Sequence, residues 1–394
     1  MSIIYKGKSD CCGCTACMAI CPHCAIEMQP DKLGFLYPVV DAAKCVDCGL
    51  CDKVCQFNKG YKTYNNFEHP IIYGGRYKDI ELLQSSQSGG AATAICDAFI
   101  NDGGVVYGVC FDECFRVIHK KVTTIEGLSQ LKGSKYVQSN LTGIFTNIKK
   151  DLVEGLKVLF IGTACQVAGL KSFIPSKFHD KLFCVDILCH ASPSPALWES
   201  YLTYIKQKYS SDIISVNMRD KKYGWRSYHE SFLLSNGKEI KRDSYIFLFF
   251  SHLSIRKSCE QCPFTNHKRV GDITLSDFWG WSKKHEEWND DKGVSMLMVN
   301  NTKGRTLIEF LEDGFLLIES KEDEIDYLQP QLCNPSRANS LRDLFEEDFY
   351  RKGFRYVSYK YGDDNWKERI KKCIRPLYHF LINKLKNENR NFSV

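Results

Sequence analysis

Residues 155–173 read GLKVLFIGTACQVAGLKSF: an apolar run with no polar alternation, a glycine-containing turn, then a helical pattern. That order describes a strand covered on both faces that feeds a helix. The same alternation continues on either side. Upstream, PIIYGGRY (70–77) reads as a strand and QSGGAATAICDAFINDGG (87–104) as a helix, with Ser88 as its N-cap and Gly103 as its stop. VVYGVCF (105–111) is the next strand, and KLFCVDILCH (181–190) a further apolar one. Strands alternating with helices predict an α/β core with substantial parallel pairing. In such sheets ligands bind beyond the carboxyl ends of the strands, where Gly162 to Cys165 and Cys189 fall. Past Pro195 the pattern becomes α+β. A helix is expected over 196–209, with strands in SFLLS (231–235), DITLS (272–276) and VSMLMVN (294–300).

The chain has 394 residues, 44% of them hydrophobic, enough for two or three domains with their own cores. Its charge is 53 Lys and Arg against 47 Asp and Glu, or +6. Residues 365–390 hold eight Lys and Arg against two Glu, also +6, so the rest of the chain is balanced. A pI near 8.4 is therefore no argument for nucleic acid. In that tail Trp366, Ile370, Cys373, Ile374, Leu377, Leu381 and Leu385 recur at helical spacing, interrupted by Pro376. Such a helix either packs on the domain with a solvated basic face or touches acidic lipid or an acidic partner. The opening MSIIYKGKSD lacks a signal-peptide pattern, and apolar runs such as YIFLFF (245–250) are too short to span a bilayer. A soluble cytoplasmic protein is expected.

In the cytoplasm thiols stay reduced, so the chain's 20 cysteines point to metal rather than to a disulfide scaffold. CCGCTACMAICP (11–22) places Cys11, Cys14, Cys17 and Cys21 as C-x2-C-x2-C-x3-C-P. CVDCGLCDKVC (45–55) repeats the spacing with Cys45, Cys48, Cys51 and Cys55. The duplicated run is the ligand pattern of a bacterial ferredoxin with two 4Fe-4S clusters, in which the fourth cysteine of each run serves the other cluster. One set is then Cys11, Cys14, Cys17 and Cys55, the other Cys45, Cys48, Cys51 and Cys21. Gly13, Ala16 and Gly49 suit backbone amides turned toward cluster sulfurs. Zinc knuckles use pairs of thiols rather than two runs of four. Cys12 and Cys24 fall outside the spacing and read as bystanders, and Gln56 replaces the second proline.

Four more cysteines sit in related contexts: Cys165, Cys189, and Cys259 with Cys262 in KSCEQCPF. Ligand-bearing turns at strand ends converge, and a C-x2-C pair from a later segment would complete a four-thiolate site. Spacing leaves open whether that site holds a third 4Fe-4S cluster or zinc, or whether Cys165 acts alone with His190 as a nucleophilic pair. Cys96, Cys110, Cys114, Cys184, Cys333 and Cys373 read as ordinary small residues.

The segments SSQSGGAATAI, GSKYVQS, GTACQVAGLKSF, CHASPSPALW and KSCEQCPFTNHKRVGDITLSDFWGW occur in that order. Together they resemble the beta-subunit family of coenzyme F420 hydrogenases and dehydrogenases, which includes hydroxymethyl-chlorophyll reductases and members with an N-terminal ferredoxin. The likeness runs from about residue 73 to 335. It implies a flavoprotein that binds FAD beside a 4Fe-4S cluster held by Cys165, Cys189, Cys259 and Cys262. Ala164 stands where that family's turn has proline, and Ala191 where it has glycine.

For the flavin, SQSGG at a helix start offers free amides to a pyrophosphate, which nominates Ser88, Gly89, Gly90 and Thr93, with a simple helix cap as the alternative. GSKYVQS adds Lys135, Tyr136, Gln138 and Ser139 for a phosphate or the flavin ring edge. Arg219, Lys221, Tyr223 and Trp225 are candidates for a substrate mouth, or a charged hairpin. Asp272 and Asp277 are proton donors if buried, or partners of Arg269 and Lys268. No G-x-G-x-x-G followed by an acid indicates a nicotinamide site.

The expected organisation is a two-cluster ferredoxin domain (1–58), a linker (59–70), and a flavin-binding mixed-sheet domain in two halves (71–195 and 196–340). A helical basic tail (341–394) follows. The expected function is an iron-sulfur flavoprotein oxidoreductase. It exchanges electrons with a redox partner, such as a ferredoxin or another oxidoreductase subunit, and acts on a small-molecule substrate without nucleic acid or a transmembrane segment. Its rivals are an electron-transfer subunit without its own substrate site and a redox-sensing or structural iron-sulfur protein.

Overall fold

The structure, a computed structural model, describes residues 7–63, 65–311, 314–320 and 329–364. The N-terminal module comprises helix α1 (Ala16–Ile20), the antiparallel hairpin β1 (Ile26–Pro30) and β2 (Leu36–Val40), and helices α2 (Leu50–Val54) and α3 (Gln56–Lys59). The sequence repeat is also a backbone repeat. α1 and α2 each start after a left-handed residue, Thr15 (φ 67) and Gly49 (φ 70), and each ends in an extended cysteine, Cys21 and Cys55. The hairpin tip is buried in the larger domain, with Leu33 and Phe35 each 1% exposed. Leu33 O accepts from Ser194 Oγ–H (2.6 Å) and Ala196 N–H (3.1 Å). Gly34 (φ 79) passes so close that a Cβ would lie 2.7 Å from Ala196 N.

The linker is tied down. Tyr61 packs on Phe264 with centroids 4.7 Å apart, Asn66 Nδ2 donates to Arg269 O (2.8 Å), and Phe67 N–H donates to Asn300 O (2.7 Å). The chain then runs β3 (Ile71–Tyr77), α4 (Ile80–Ser85), α5 (Ala91–Asn101), β4 (Val105–Phe111), β5 (Val117–Val122), α6 (Ile144–Val153), β6 (Val158–Thr163), α7 (Ala164–Phe173) and β7 (Leu182–Ile187). After α8 (Pro195–Tyr209) come β8 (Ile213–Asn217), β9 (Glu230–Leu234), β10 (Glu239–Arg242), α9 (Ser244–Phe250) and β11 (Ile273–Asp277). β12 (Ser295–Val299), α10 (Thr302–Glu309), β13 (Phe315–Ser320) and α11 (Arg342–Lys360) complete the order.

Among the described residues the main sheet has eight strands in the order β13-β3-β12-β11-β7-β6-β4-β5. The pairs β4–β6, β6–β7 and β7–β11 are parallel and the others antiparallel, so this is a mixed α/β sheet. The two halves of the chain interleave within it, because β3 lies between β12 and β13. A second sheet, β10-β9-β8, packs against α8, with Trp198, Tyr201, Phe232 and Tyr245 in one buried cluster with Phe35 and Tyr37.

YIFLFF belongs to α9: Tyr245, Ile246, Leu248 and Phe249 are buried while Phe247 and Phe250 face outward, a helical period. One local expectation changes. Ser88 is not the N-cap of α5; Gly90 (φ 89) is, and Ser88 Oγ instead donates to Val294 O (2.8 Å). Residues 365–390, read as a basic amphipathic helix, lie outside the described residues. Among those described, no helix is long and apolar enough to cross a membrane.

Glu230 on β9 is fully buried, accepting from Tyr201 O–H (2.6 Å) and Ile246 N–H (2.9 Å), and burial pushes its carboxyl up to about 8. The folded chain keeps a proton that the unfolded chain releases above about 4.5, so stability falls as pH rises through that window. The slope is about 1.4 kcal/mol per pH unit. Glu230→Gln keeps an acceptor for Ile246 N–H at Oε1, reverses the Tyr201 contact so that Nε2 donates to the hydroxyl, and removes the ionisation. Urea unfolding at intervals from pH 5 to 8 is expected to give a flat profile for the variant and a falling one for the parent.

Candidate functional site

The two cysteine runs meet around two hollows, each of about 410 Å³ with its open mouth included. Cys11, Cys14, Cys17 and Cys55 line one, beside Met28 and Pro38. Cys45, Cys48, Cys51 and Cys21 line the other, beside Ile26 and Val40. Each hollow thus takes three thiols from one run and the fourth from the other, the crossed arrangement that a pair of cubane clusters requires. Burial pushes the Cys17 thiol up to about 12 and also raises Cys55. Cys24 is exposed and borders neither hollow. Cys12 is buried at the edge of the first.

The later four cysteines come from three loops. Cys165 is on the first turn of α7, straight after β6. Cys189 lies two residues beyond the neighbouring parallel strand β7, and Cys259 and Cys262 are on and just after a 3-10 turn over Lys257–Gln261. The four thiols act on one another electrostatically. Burial, reinforced by these neighbours, raises Cys189, takes Cys259 to about 11 and Cys262 to about 12. Ser192 N–H donates to Cys259 Sγ (3.3 Å), and Thr163 Oγ1 lies 3.2 Å from Cys165 Sγ. Among the described residues no three Cys, His, Asp or Glu side chains close on a point that would hold a single ion. His190 is not paired with Cys165. Its Nε2 lies 2.7 Å from His252 Nε2 and its Nδ1 3.0 Å from Gln331 Nε2, so the nucleophilic-pair reading has no geometry behind it.

Beyond the carboxyl ends of β6, β7 and β11 opens a cleft of about 1920 Å³, its mouth included. Ser88, Thr93, Lys135, Tyr136, Gln138 and Ser139 line it, and so does Cys189, which belongs to the later thiol set as well. Gly89 and Gly90 do not. A Cβ on Gly89 would lie 2.0 Å from Gly75 O, and one on Gly90 2.5 Å from the Tyr77 ring. These glycines let the start of α5 press onto the sheet. Lys135 spends its ammonium on the carbonyls of Lys132 (2.6 Å), Leu131 (2.9 Å) and Gln130 (3.3 Å), and burial lowers it to about 8. Ser139 is bonded to Gln166 Nε2 (2.9 Å), whose Oε1 caps α7 at Thr163 N–H (2.9 Å).

At the other end of the cleft Arg219 donates to Asp277 Oδ2 and Trp225 O, both at 2.6 Å, beneath the rings of Tyr228 (4.7 Å) and Trp279 (5.5 Å). Trp225 stacks on Trp279 at 4.8 Å. Of the proposed mouth residues only Arg219 lines the cleft. Lys221 is turned away to hold the carbonyls of Leu83, Ser86 and Ser88. Asp272 is no proton donor: Lys171 (3.2 Å) and Lys303 overcome the effect of burial and hold its carboxyl below the usual range. Arg269 pairs with Asp186 at 2.6 Å, not with Asp272 or Asp277. Gln87, Tyr228, Trp279, Gln329 and Gln331 also line the cleft. None has a spacing signature, since each meets the others through the fold alone.

Residues 155–324 match the family described as the C-terminal region of the coenzyme F420 hydrogenase/dehydrogenase beta subunit. That region of the chain is similar to the family; the match does not extend over the rest of the chain. The coenzyme F420-dependent sulfite reductase of Methanocaldococcus jannaschii is 27% identical over 176 residues, 43% of this chain and 26% of that protein. The chain thus matches about a quarter of that relative's length. Among solved structures, a chain of the F420-reducing NiFe hydrogenase complex from Methanosarcina barkeri aligns with a TM-score of 0.45 and 17% identity, covering 74% of this chain and 92% of that one.

Proposed function

We propose that this chain is a member of the beta-subunit family and an iron-sulfur flavoprotein oxidoreductase with three 4Fe-4S clusters and one FAD. The observation that carries this reading is the position of Cys189, which is at once a member of the later thiol set and part of the cleft wall. A cluster on Cys165, Cys189, Cys259 and Cys262 would adjoin whatever fills the cleft. The crossed N-terminal hollows would hold the other two clusters, on Cys11, Cys14, Cys17 and Cys55 and on Cys45, Cys48, Cys51 and Cys21. FAD, when bound, supplies the change between one-electron and two-electron transfer.

The chain's own residues position and select. The amino end of α5, at Ala92 and Thr93, presents backbone N–H groups and a positive dipole end to the cleft, which suits a pyrophosphate. Tyr136 and Phe249, 5.7 Å apart, form an apolar wall for a ring system. Arg219, held by Asp277, with Gln329, Gln331 and His190, gives the far end donors and acceptors for an organic substrate or coenzyme. That polar end favours an enzyme with its own substrate over a bare electron relay. Electrons would enter through the outward site, where Cys48 is exposed and Val46 is 59% exposed, from a one-electron donor such as a ferredoxin.

The test is anaerobic purification with iron, sulfide, zinc and flavin measured on one sample. About twelve irons and one FAD per chain are expected. About eight irons without flavin, or stoichiometric zinc, would overturn the reading.

A further inference from the structure

Between the first N-terminal hollow and the later thiol set lies a side chain that neither site uses as a ligand. Arg256 is 0% exposed. Its Nε–H donates to Cys11 O (2.7 Å), its Nη1 to Gln138 Oε1 (2.9 Å), and its Nη2 to Leu36 O (2.9 Å) with Cys11 Sγ at 3.6 Å. The guanidinium lies 4.1 Å from the Tyr37 ring centroid and 5.5 Å from that of Phe35. Its backbone belongs to the other site: Arg256 O accepts from Cys259 N–H (3.0 Å), and Arg256 N–H donates to the O of Ser192, whose own N–H is bonded to Cys259 Sγ.

A fully buried cation is costly unless negative charge answers it. Among the described residues no carboxylate does so. Burial works against the charged form, and what outweighs it is Cys11, Tyr37, Cys12 and Cys259. The chain has made room for this charge, since a Cβ on Gly13 (φ 71) would lie 2.9 Å from Nη1. Beside it Cys12 is 6% exposed, with its carbonyl accepting from Gln138 Nε2 (2.7 Å). Its thiol is near enough to Cys14 of the N-terminal set and to Cys165 of the later one to act on both electrostatically. The outward hollow has none of these residues in its wall.

We propose that Arg256 and Cys12 form the junction through which electrons pass between the Cys11/Cys14/Cys17/Cys55 site and the Cys165/Cys189/Cys259/Cys262 site, with Arg256 the shared counter-cation of both. This rests on the reading that both sites hold clusters. One electron leaves one cluster and enters the other; no bond forms or breaks, and Arg256 stays protonated throughout. A cation shared by two clusters stabilises the reduced, more negative form of each and so raises both potentials. Cys12, buried between the two thiol sets, shortens the through-space gap that an electron must cross. Both are positioning residues.

The experiment is an EPR-monitored redox titration of the anaerobic holoprotein, with sites assigned by Cys259→Ser and Cys48→Ser variants. Arg256→Gln is expected to lower the midpoints of the two adjoining sites together and leave the outward site unmoved. The expected size is about tenfold in the reduced-to-oxidised ratio, or about 59 mV for a one-electron couple. Arg256→Lys keeps the charge and should restore most of that shift. Cys12→Ala should leave all three midpoints alone and slow electron arrival at the later site after flash photoreduction, which keeps a readout if Arg256→Gln fails to assemble. Parent protein with about twelve irons, whose variants show unmoved midpoints and unchanged transfer, overturns the junction alone. Parent protein with about eight irons overturns the cluster reading and the junction with it.

Discussion

The Cys259→Ala/Cys262→Ala protein is expected to lose about four of about twelve irons and to stop delivering electrons from an external one-electron donor to its flavin. Both thiols come from one short turn, and the remaining pair, Cys165 and Cys189, sits on separate loops after β6 and β7. Two thiols on different loops cannot hold a cubane by themselves. The eight N-terminal cysteines belong to another part of the chain and keep their hollows. Iron per chain should therefore fall by about a third, not to zero. Flavin content should persist, because the cleft is lined by Cys189 but not by Cys259 or Cys262. Flavin bleaching by a reduced ferredoxin, followed anaerobically, measures the break in the relay. Unchanged iron, or bleaching at the parent rate, would remove the later thiols from the path.

The second large effect is expected at Gly169, one turn after Cys165 on α7. A Cβ there would lie 2.7 Å from Cys14 Sγ and 2.8 Å from Cys14 Cβ. The helix has no room to retreat, because Val167, Ala168 and Leu170 are buried against the sheet and α6. The loop that carries Cys14 is equally confined, with Ala16 and Val54 packed into the same cluster. Gly169→Val must therefore drive Cys14 out of its hollow. The expected result is loss of about four irons from the first N-terminal site, with about 1–3 kcal/mol lost in urea unfolding from overpacking. Gly49→Ala is the comparison: nothing lies within 4 Å of its Cβ, so only the left-handed backbone (φ 70) is penalised, at about 1 kcal/mol. Iron retention in Gly169→Val equal to that of Gly49→Ala would show that the module does not depend on this contact.

Much of the architecture is legible because its signals are local. Val158–Ile161 is apolar without alternation, Ala164 onward is helical, and both periods arise within one element's backbone. Glycines are less readable. SQSGG suggests an anion cradle at Ser88 to Gly90, yet a glycine is demanded equally by close approach, and here the neighbours are Gly75 O and the Tyr77 ring. Lys135 and Gln138 mislead for a similar reason. Their donors are of the right type for a phosphate, but the turn carbonyls and Cys12 O take them first.

What the sequence determined by itself is the cysteine spacing of the N-terminal runs, where three thiols share one tight loop, and the strand and helix alternation that makes the mixed sheet. Those properties depend on residues a few positions apart, and chain connectivity alone holds them together. What only the tertiary structure decided is which distant groups meet: Arg256 with Cys11 across 245 positions, Gly169 with Cys14, and Arg219 with Trp279 and Tyr228. No spacing encodes such pairs. They form because the hairpin tip at Leu33 and Phe35 and the helices around Ala16 and Val54 bury their apolar surface against the larger domain.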